Sequence, residues 1–505
     1  MLLSTPTPTN SSQTEDNWLD EFDKTYNLLV KENKFGNDVR PCVFRVPQNV
    51  LEISPLSYTP QRVGLGPYHH LRPEFHMLQW HKLAVIKNFI TPEKFKNFQP
   101  LVIDKLVKME SASRSCYAQI LELKGLTLAT ILATDTIFLL HILNEHSSRG
   151  QIVDAAPEQV AKDLFMLENQ IPTVILEEVR DALNLSPSIE DQSYYIQLFE
   201  LCRAHSPLEV SLDYIFNAKC PHLLAFLHRL IVSYQVVPRP PRMTRIGLLT
   251  VITGMVSIVK TATNAYENVN KNMEGAESFV QKIAQFFKKP TPPEEEIEMP
   301  SVSQLQNSVK VKFVPTGNGI QQIEFMKSED GSFYFCLPEL TMKDDSEVIL
   351  RNLVEYEKVM VDTTDDPKSV TTLVSDYVVL MCGIIHSAKD VGILRQENII
   401  ISELSDETIA KLFNGMKKST NANKKWRLKE KSVVECAIEE ANKEYDKTLR
   451  AKATKLFKKY FHGSWKPISF ITVLVIVLLP AVQAIRQFYG CNATGTGFNI
   501  LHVDM

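Results

Sequence analysis

The chain has 505 residues, 44% hydrophobic and 23% charged, with a formal net charge of −4. That length suits about two to four domains or one large body with insertions, and the averages exclude a disordered, collagen-like or multi-span protein. Gly is only 18 of 505, about half the usual ~7%, which argues against repeated phosphate-binding loops and for helices.

The opening MLLSTPTPTNSSQTED has no basic n-region and no apolar core, so it reads as a disordered tail over 1–17 rather than a signal peptide. Trp18, Leu19, Phe22, Tyr26, Leu29 and Val30 recur at helical spacing over 18–36. Residues 41–73 hold six prolines and read as extended chain and turns. Helical patterns follow at 74–90, 100–123, 126–147, 157–169, 171–184, 194–202 and 219–235.

Pro238, Pro240 and Pro241 then interrupt the chain. Ile246 to Val259 is apolar for fourteen residues, too short to span a bilayer. It suits either a buried helix or one lying on, or re-entering, a membrane surface. Lys288 to Ser301 is a flexible charged linker. Beyond it, Val309, Val311 and Phe313 alternate, as do Ile323 and Phe325, then Phe333, Phe335 and Leu337 after an Asp330-Gly331 turn. The pattern predicts a small antiparallel hairpin or three-strand sheet. Helices resume at 346–360, 369–385 and 387–395, and Ser405 is a good N-cap for one through Leu412 and Phe413.

Residues 424–466 predict a long amphipathic helix, with Val433, Ala437, Ala441, Tyr445 and Leu449 four apart on one face. This stretch carries thirteen Lys/Arg against six Asp/Glu, so the near-neutral total resolves into an acidic body of −11 and a basic stalk of +7. Ile468 to Ile485 is then free of charge for eighteen residues. As a helix it is about 27 Å long, close to the ~30 Å hydrocarbon thickness. It lacks the polar stripe of a core helix. Seven basic and no acidic residues occupy the twenty positions before it, and Trp465 and Tyr489 bracket it. The positive-inside rule predicts a tail-anchored protein with a cytosolic N-terminal body, in the plasma membrane or the endoplasmic reticulum. Asn492 opens a glycosylation sequon on the far side.

The expected fold is therefore mainly α. It comprises a large helical body with a small antiparallel β element, a long C-terminal amphipathic helix and one transmembrane helix. The segments are 1–17 (tail), 18–237 (first part of the body), 238–301 (insertion and linker), 302–423 (second part), 424–466 (stalk), 467–486 (span) and 487–505 (far-side tail).

The sequence holds no P-loop, G-x-S-x-G, H-E-x-x-H or kinase motif set. Its eight cysteines form no C-x-x-C and suit a reducing compartment. Two polar constellations stand out. One runs through Pro67, Tyr68, His69 and His70 to His76 and His81, whose spacing is poor for a shared metal. The other is Asp163 to Pro172, where Glu168, Asn169 and Gln170 sit inside an apolar helical pattern that Pro172 interrupts. Glu168 or Asn169 is expected to tie this break to the His-rich segment. A catalytic carboxylate there lacks a visible partner acid or nucleophile. No cofactor, metal or nucleic acid is expected. The expected contacts are a membrane, through one C-terminal helix, and protein partners that the sequence does not name.

These segments carry a resemblance. VPQNVLEISPLSYTPQRVGLGPYHH with Trp80-His81-Lys82, and DLFMLENQIPTVILEEV, resemble the opening and central motifs of the plant "domain of unknown function 247" family, also called uncharacterised protein family 0481. ATDTIFLLHIL, His222-Leu223-Leu224, LPELTMKDDSEVILRNLVEYEK, SDYVVLMCGIIHSAKDVGIL and IAKLFNGM are similar to further family blocks, over roughly 41–486. The chain departs at Gln79, where an acid is common in the family, and at Cys382, where Asp is common. The resemblance implies a plant single-pass membrane protein of unknown biochemical function, with no catalytic residues to carry over. Some members are linked to pollen–stigma self-incompatibility in grasses. The expected function is a non-enzymatic interaction or signalling role. A membrane-anchored enzyme using the GPYHH and LENQIP segments, and a self-recognition component, are the alternatives.

Overall fold

Low glycine and repeated helical periodicity resolve into sixteen α-helices among the described residues. The computed structural model describes residues 41–70, 72–149, 157–185, 193–210, 220–233, 299–317, 319–364, 370–421 and 432–448, together with 19, 22 and 23. The tail 1–17, most of the helix expected at 18–36, the apolar stretch Ile246–Val259, the span Ile468–Ile485 and Asn492 lie outside them.

The first half contributes α1 (Gln48–Ile53), α2 (His76–Phe89), α3 (Pro92–Lys96), α4 (Asp104–Lys108) and α5 (Glu110–Ser115). After them come α6 (Gly125–Arg149), α7 (Pro157–Leu164), α8 (Thr173–Ala182), α9 (Ser193–His205) and α10 (Leu223–Val232). The centre of this half is α6, against which α2, α4, α8 and α9 pack. Its Gly125–Ser147 stretch is long and apolar enough to cross a membrane, yet it is 78% buried inside the body. It is a core helix that is apolar nearly all round because neighbours surround it.

The second half contributes α11 (Val302–Ser308), α12 (Ser346–Thr363), α13 (Leu373–Ile384), α14 (Ala388–Gln396), α15 (Asp406–Asn421) and α16 (Val433–Asp446). Capping boxes at Ser301/Gln304, Ser387/Asp390 and Ser432/Glu435 start α11, α14 and α16. Ser405 Oγ accepts from Thr408 N at 3.2 Å and opens α15. Buried apolar residues of the two halves form one cluster, from Val43 to Ala441.

The β element is a three-stranded sheet of β1 (Lys312–Pro315), β2 (Glu324–Lys327) and β3 (Phe333–Leu337) in the order β1-β3-β2. The β2–β3 hairpin is antiparallel across Asp330-Gly331, but β1 runs parallel to β3, so the sheet is mixed rather than purely antiparallel. Phe313, Phe325 and Phe335 are buried in it, with ring centroids 5.6–6.0 Å apart. A second pair, β4 (Leu340–Met342) with parallel β5 (Ile400–Ser402), has no counterpart in the sequence expectations. Three-residue strands are too short to show periodicity.

Two expected helices end early, each for a local reason. The helix expected over 100–123 stops at Ser115, because the following residues pair with the N-terminal segment. Val43 bridges Tyr117, while Arg114 Nη1 donates to Leu121 O at 2.6 Å. The helix expected over 157–169 stops at Leu164, because amide side chains take its last carbonyls. Asn169 Nδ2 donates to Asp163 O at 2.8 Å, and Gln170 Nε2 to Leu164 O at 2.8 Å and Met166 O at 2.7 Å.

α16 begins the stretch expected as a stalk, but over Val433–Asp446 it is docked on the body. Val434, Ala437, Ile438 and Ala441 are buried against β2 and α13. Val433, placed on the apolar face by the sequence, is instead 50% exposed.

Asn352 on α12 joins the halves. Its Oδ1 accepts from Leu167 N at 2.8 Å, and its Nδ2 donates to Ser57 O and Val348 O, each at 2.8 Å. Asn352→Leu keeps the volume and leaves the buried Leu167 amide and Ser57 carbonyl without their partner. We expect a loss of about 3 kcal/mol, read as a lower denaturation midpoint. An unchanged midpoint would show that the Asn352 bonds contribute nothing to holding the halves together.

Candidate functional site

The run from Asp163 to Ile171 leaves the helix at Leu164 and continues as irregular backbone, with nearly every residue buried. Buried irregular backbone lacks a ladder to satisfy its polar groups, so side chains must do it. Asp163 Oδ2 accepts from three consecutive amides, Gln61 N at 2.9 Å, Arg62 N at 2.6 Å and Val63 N at 2.9 Å. Asn169 Oδ1 accepts from Leu65 N at 2.6 Å, and its Nδ2 donates to Val63 O at 2.8 Å. Gln170 Oε1 accepts from Leu224 N at 3.0 Å, in the first turn of α10.

Glu168 reaches the start of the same N-terminal segment. Its Oε1 accepts from Val46 N at 2.8 Å, and its Oε2 accepts from Arg45 Nη1 at 2.9 Å and lies 3.3 Å from His69 Nε2. Burial pushes this carboxyl up, but His69, the Val46 amide and Arg45 together hold it below its ordinary range. Arg45 also lies over the Tyr68 ring, 4.2 Å from its centroid. Tyr68 Oη donates to Val43 O at 3.3 Å and accepts from Gln119 N at 3.2 Å.

Between Tyr68 and Leu65, the chain turns on Gly66 at φ +70°. A Cβ there would meet Tyr117 Oη at 3.2 Å and Gln170 O at 3.3 Å. Gly66 N donates to Asp135 Oδ2 at 2.8 Å. The other oxygen of Asp135 takes Lys82 Nζ, which also donates to Gly64 O at 2.6 Å. Lys82 is 1% exposed and Asp135 2%, a buried ion pair whose remaining bonding groups are met by backbone.

The structure thus gathers Tyr68, His69, Glu168, Asn169 and Gln170 around one seam, with Pro67 half-buried beside Gly66. Pro172 stands at the head of α8, where Ile175 N donates to its carbonyl at 3.0 Å. His70 is half-buried, and burial lowers its pKa against the pull of Asp135. His76 and His81 are exposed on α2, so the four histidines do not converge. Among the described residues, no three of His, Cys, Asp and Glu are placed to hold a metal.

Sequence reasoning missed Arg45, Lys82, Asp135, Asn352 and His222 as members of this network. Asp135 had a signal: it is a lone acid in the apolar run ATDTIFLLHIL. His222 caps α10 by accepting from Ala225 N through Nδ1 at 3.2 Å, which leaves Nε2–H to donate to Cys42 O at 2.9 Å. The bond accepted by Nδ1 requires the neutral ring, and burial lowers its pKa to about 4.

What this arrangement does chemically is hold backbone. Glu168→Ala strips the Val46 amide of its acceptor and His69 of its partner, and we expect a loss of about 3 kcal/mol of stability. Arg45 is open to solvent and adds little. Unchanged melting would refute the structural role. His222 binds a proton in the unfolded chain below its ordinary pH of about 6.5 but not in the folded one until about 4. Its contribution is full above 6.5 and is lost as pH falls towards 4, about 3 kcal/mol at most. His222→Gln should flatten melting temperature against pH in that window.

The comparisons with known proteins cover most of the chain. Two Arabidopsis thaliana proteins are similar over nearly their whole length. The UPF0481 protein At3g02645 is 28% identical over 515 positions, covering 93% of this chain and 94% of that protein. The UPF0481 protein At3g47200 is 21% identical over 470 positions, covering 88% of this chain and 85% of that protein. No solved structure matches. A family profile described as "plant protein of unknown function" matches residues 43–479, a span that holds every residue of the seam, and the chain belongs to that family, DUF247.

Proposed function

We propose that this DUF247 protein is a tail-anchored, single-pass membrane protein whose cytosolic body acts by binding other proteins rather than by catalysis. The observation that carries this reading is the occupation of the seam. Asp163 is engaged by three amides, Asn169 by three backbone groups, and Gln170 by two carbonyls and the head of α10. Glu168 is held below its ordinary pKa, the opposite of what a general acid at neutral pH needs. Glu168 lies 3.3 Å from His69, so the GPYHH and LENQIP segments touch directly and do not stand as opposite walls of a cleft.

The tether rests on the sequence. The uncharged Ile468–Ile485 stretch follows a basic run and precedes a short tail with one base and one acid. Docking of α16 on β2 and α13 supports a body held close to that tether. Near an anionic leaflet, each exposed base of the stretch adds about 1 kcal/mol of attraction.

Fractionation and protease protection test the reading. The full chain should stay with membranes after alkaline carbonate extraction, and a chain ending at Lys466 should leave them. In sealed microsomes an N-terminal tag should be digested and a C-terminal tag protected. Protection of the N-terminal tag would reverse the topology, and release of the full chain would remove the anchor. Proximity labelling from the same tagged chain should then enrich a reproducible set of cytosolic proteins.

A further inference from the structure

The chain enters the described body at Pro41 and is pinned beside the end of α5. Val43 and Tyr117 form a parallel bridge, in which Val43 N donates to Cys116 O at 2.9 Å and Ala118 N to Val43 O at 3.0 Å. Cys42 N shares the same carbonyl at 2.9 Å. This register sets Cys42 directly opposite Cys116 on one face of the pair. Neighbouring strands lie about 4.8 Å apart, inside the Cα separation of about 4.4–6.8 Å that a disulfide needs.

We propose that Cys42 and Cys116 are a reversible dithiol latch, closed to a disulfide by a two-electron oxidant of the peroxide class and reopened by a thiol reductant. Access and chemistry favour this pair. Cys42 is half-buried and Cys116 lies buried beside it at 9% exposure, whereas Cys202 and Cys382 are enclosed in the core. The neighbouring Cys42 thiol holds Cys116 below its ordinary pKa, while Cys116 and burial push Cys42 up, which favours Cys116 as the attacking sulfur.

The Cys116 thiolate attacks one peroxide oxygen. The O–O bond breaks, and the departing hydroxide takes a proton to become water, leaving a sulfenic acid on Cys116. The Cys42 sulfur then attacks that sulfur. The S–O bond breaks, and the hydroxyl leaves as water with the Cys42 proton. Two thiols lose two electrons in all, and one peroxide becomes two waters.

Closing the latch would clamp the segment that matters most to the seam. Cys42 offers its carbonyl to His222, and Arg45 and Val46 follow it onto Glu168. This inference does not depend on the proposed function, because it concerns only two side chains and their backbone register.

Peptide mapping decides it. The full-length protein in detergent is treated with hydrogen peroxide, alkylated, digested and analysed by mass spectrometry. A Cys42–Cys116 linked peptide should appear, vanish on reduction, and accompany an intact mass lower by two hydrogens. The oxidised protein should melt at a higher temperature. Cys42→Ser and Cys116→Ser should each abolish the link while Cys382 stays alkylatable after unfolding. The linkage in the unmutated protein stands as a readout even if a variant fails to fold. Recovery of both cysteines as separate thiols, over-oxidation of Cys116 without linkage, or linkage of either to a third cysteine overturns the proposal.

Discussion

Irregular backbone at the centre of a helical protein is the constraint on which the rest depends. Helices satisfy their own amides and carbonyls; the 165–171 run does not, and it is buried almost throughout. Asn352 accepts from Leu167 N and Gln170 donates to Met166 O within the run, while Asn169 and Asp163 bond the backbone on either side of it. Between them they reach several elements, so one solution to a local shortage of partners also locates α7, α10, α12 and the N-terminal segment relative to one another. This explains why the signature residues are amides and acids with fixed geometry rather than an apolar plug. An apolar side chain of equal volume fills the space and leaves several buried polar groups unpaired, each costing about 1–3 kcal/mol.

The legible part of the fold was the part with long periodicity. α2, α6, α8, α9, α12 and α13 lie within a few residues of where the 3.6-residue pattern puts them. Ser405 was readable as a cap because a hydroxyl before an apolar run has few other uses. The illegible parts depended on distant partners. Nothing in residues 100–123 shows that Cys116 and Tyr117 will pair with Cys42 and Val43 some seventy positions earlier. The helical pattern through 157–169 is real, but Asn169 and Gln170 fold back on its carbonyls, and that competition is settled by burial. The parallel β1–β3 pairing was hidden for the same reason, since alternation marks a strand without naming its partner.

The seam shows the same division. Its two halves were visible as polar islands in apolar surroundings, and Glu168 and Asn169 do bond to the segment between Arg45 and His69. Their complement was not visible, because Arg45, Lys82 and Asn352 look like ordinary surface residues in a sequence. Burial changes what such residues are worth. Lys82 alone in the core would leave its amine without partners, but Asp135 and the Gly64 carbonyl take it, and Asp135 in turn holds the Gly66 amide at the turn.

Two stretches of this chain meet the length and apolarity of a membrane helix, and their surroundings separate them. In α6 the apolar residues are covered by α2, α4, α8 and α9. Its acid, Asp135, has a buried cation and a backbone amide waiting for it, which a lipid environment does not supply. Ile468–Ile485 has no acid to satisfy, seven basic residues on one side, and an aromatic residue beyond each end. A helix that needs protein partners for its polar group belongs in the body. One that needs none, and is flanked by cations that favour one leaflet, is suited to hydrocarbon. The proposed anchor and the core helix are therefore distinguished by whether the stretch carries an acid that needs a partner and by the charges that flank it, criteria that average hydropathy does not contain.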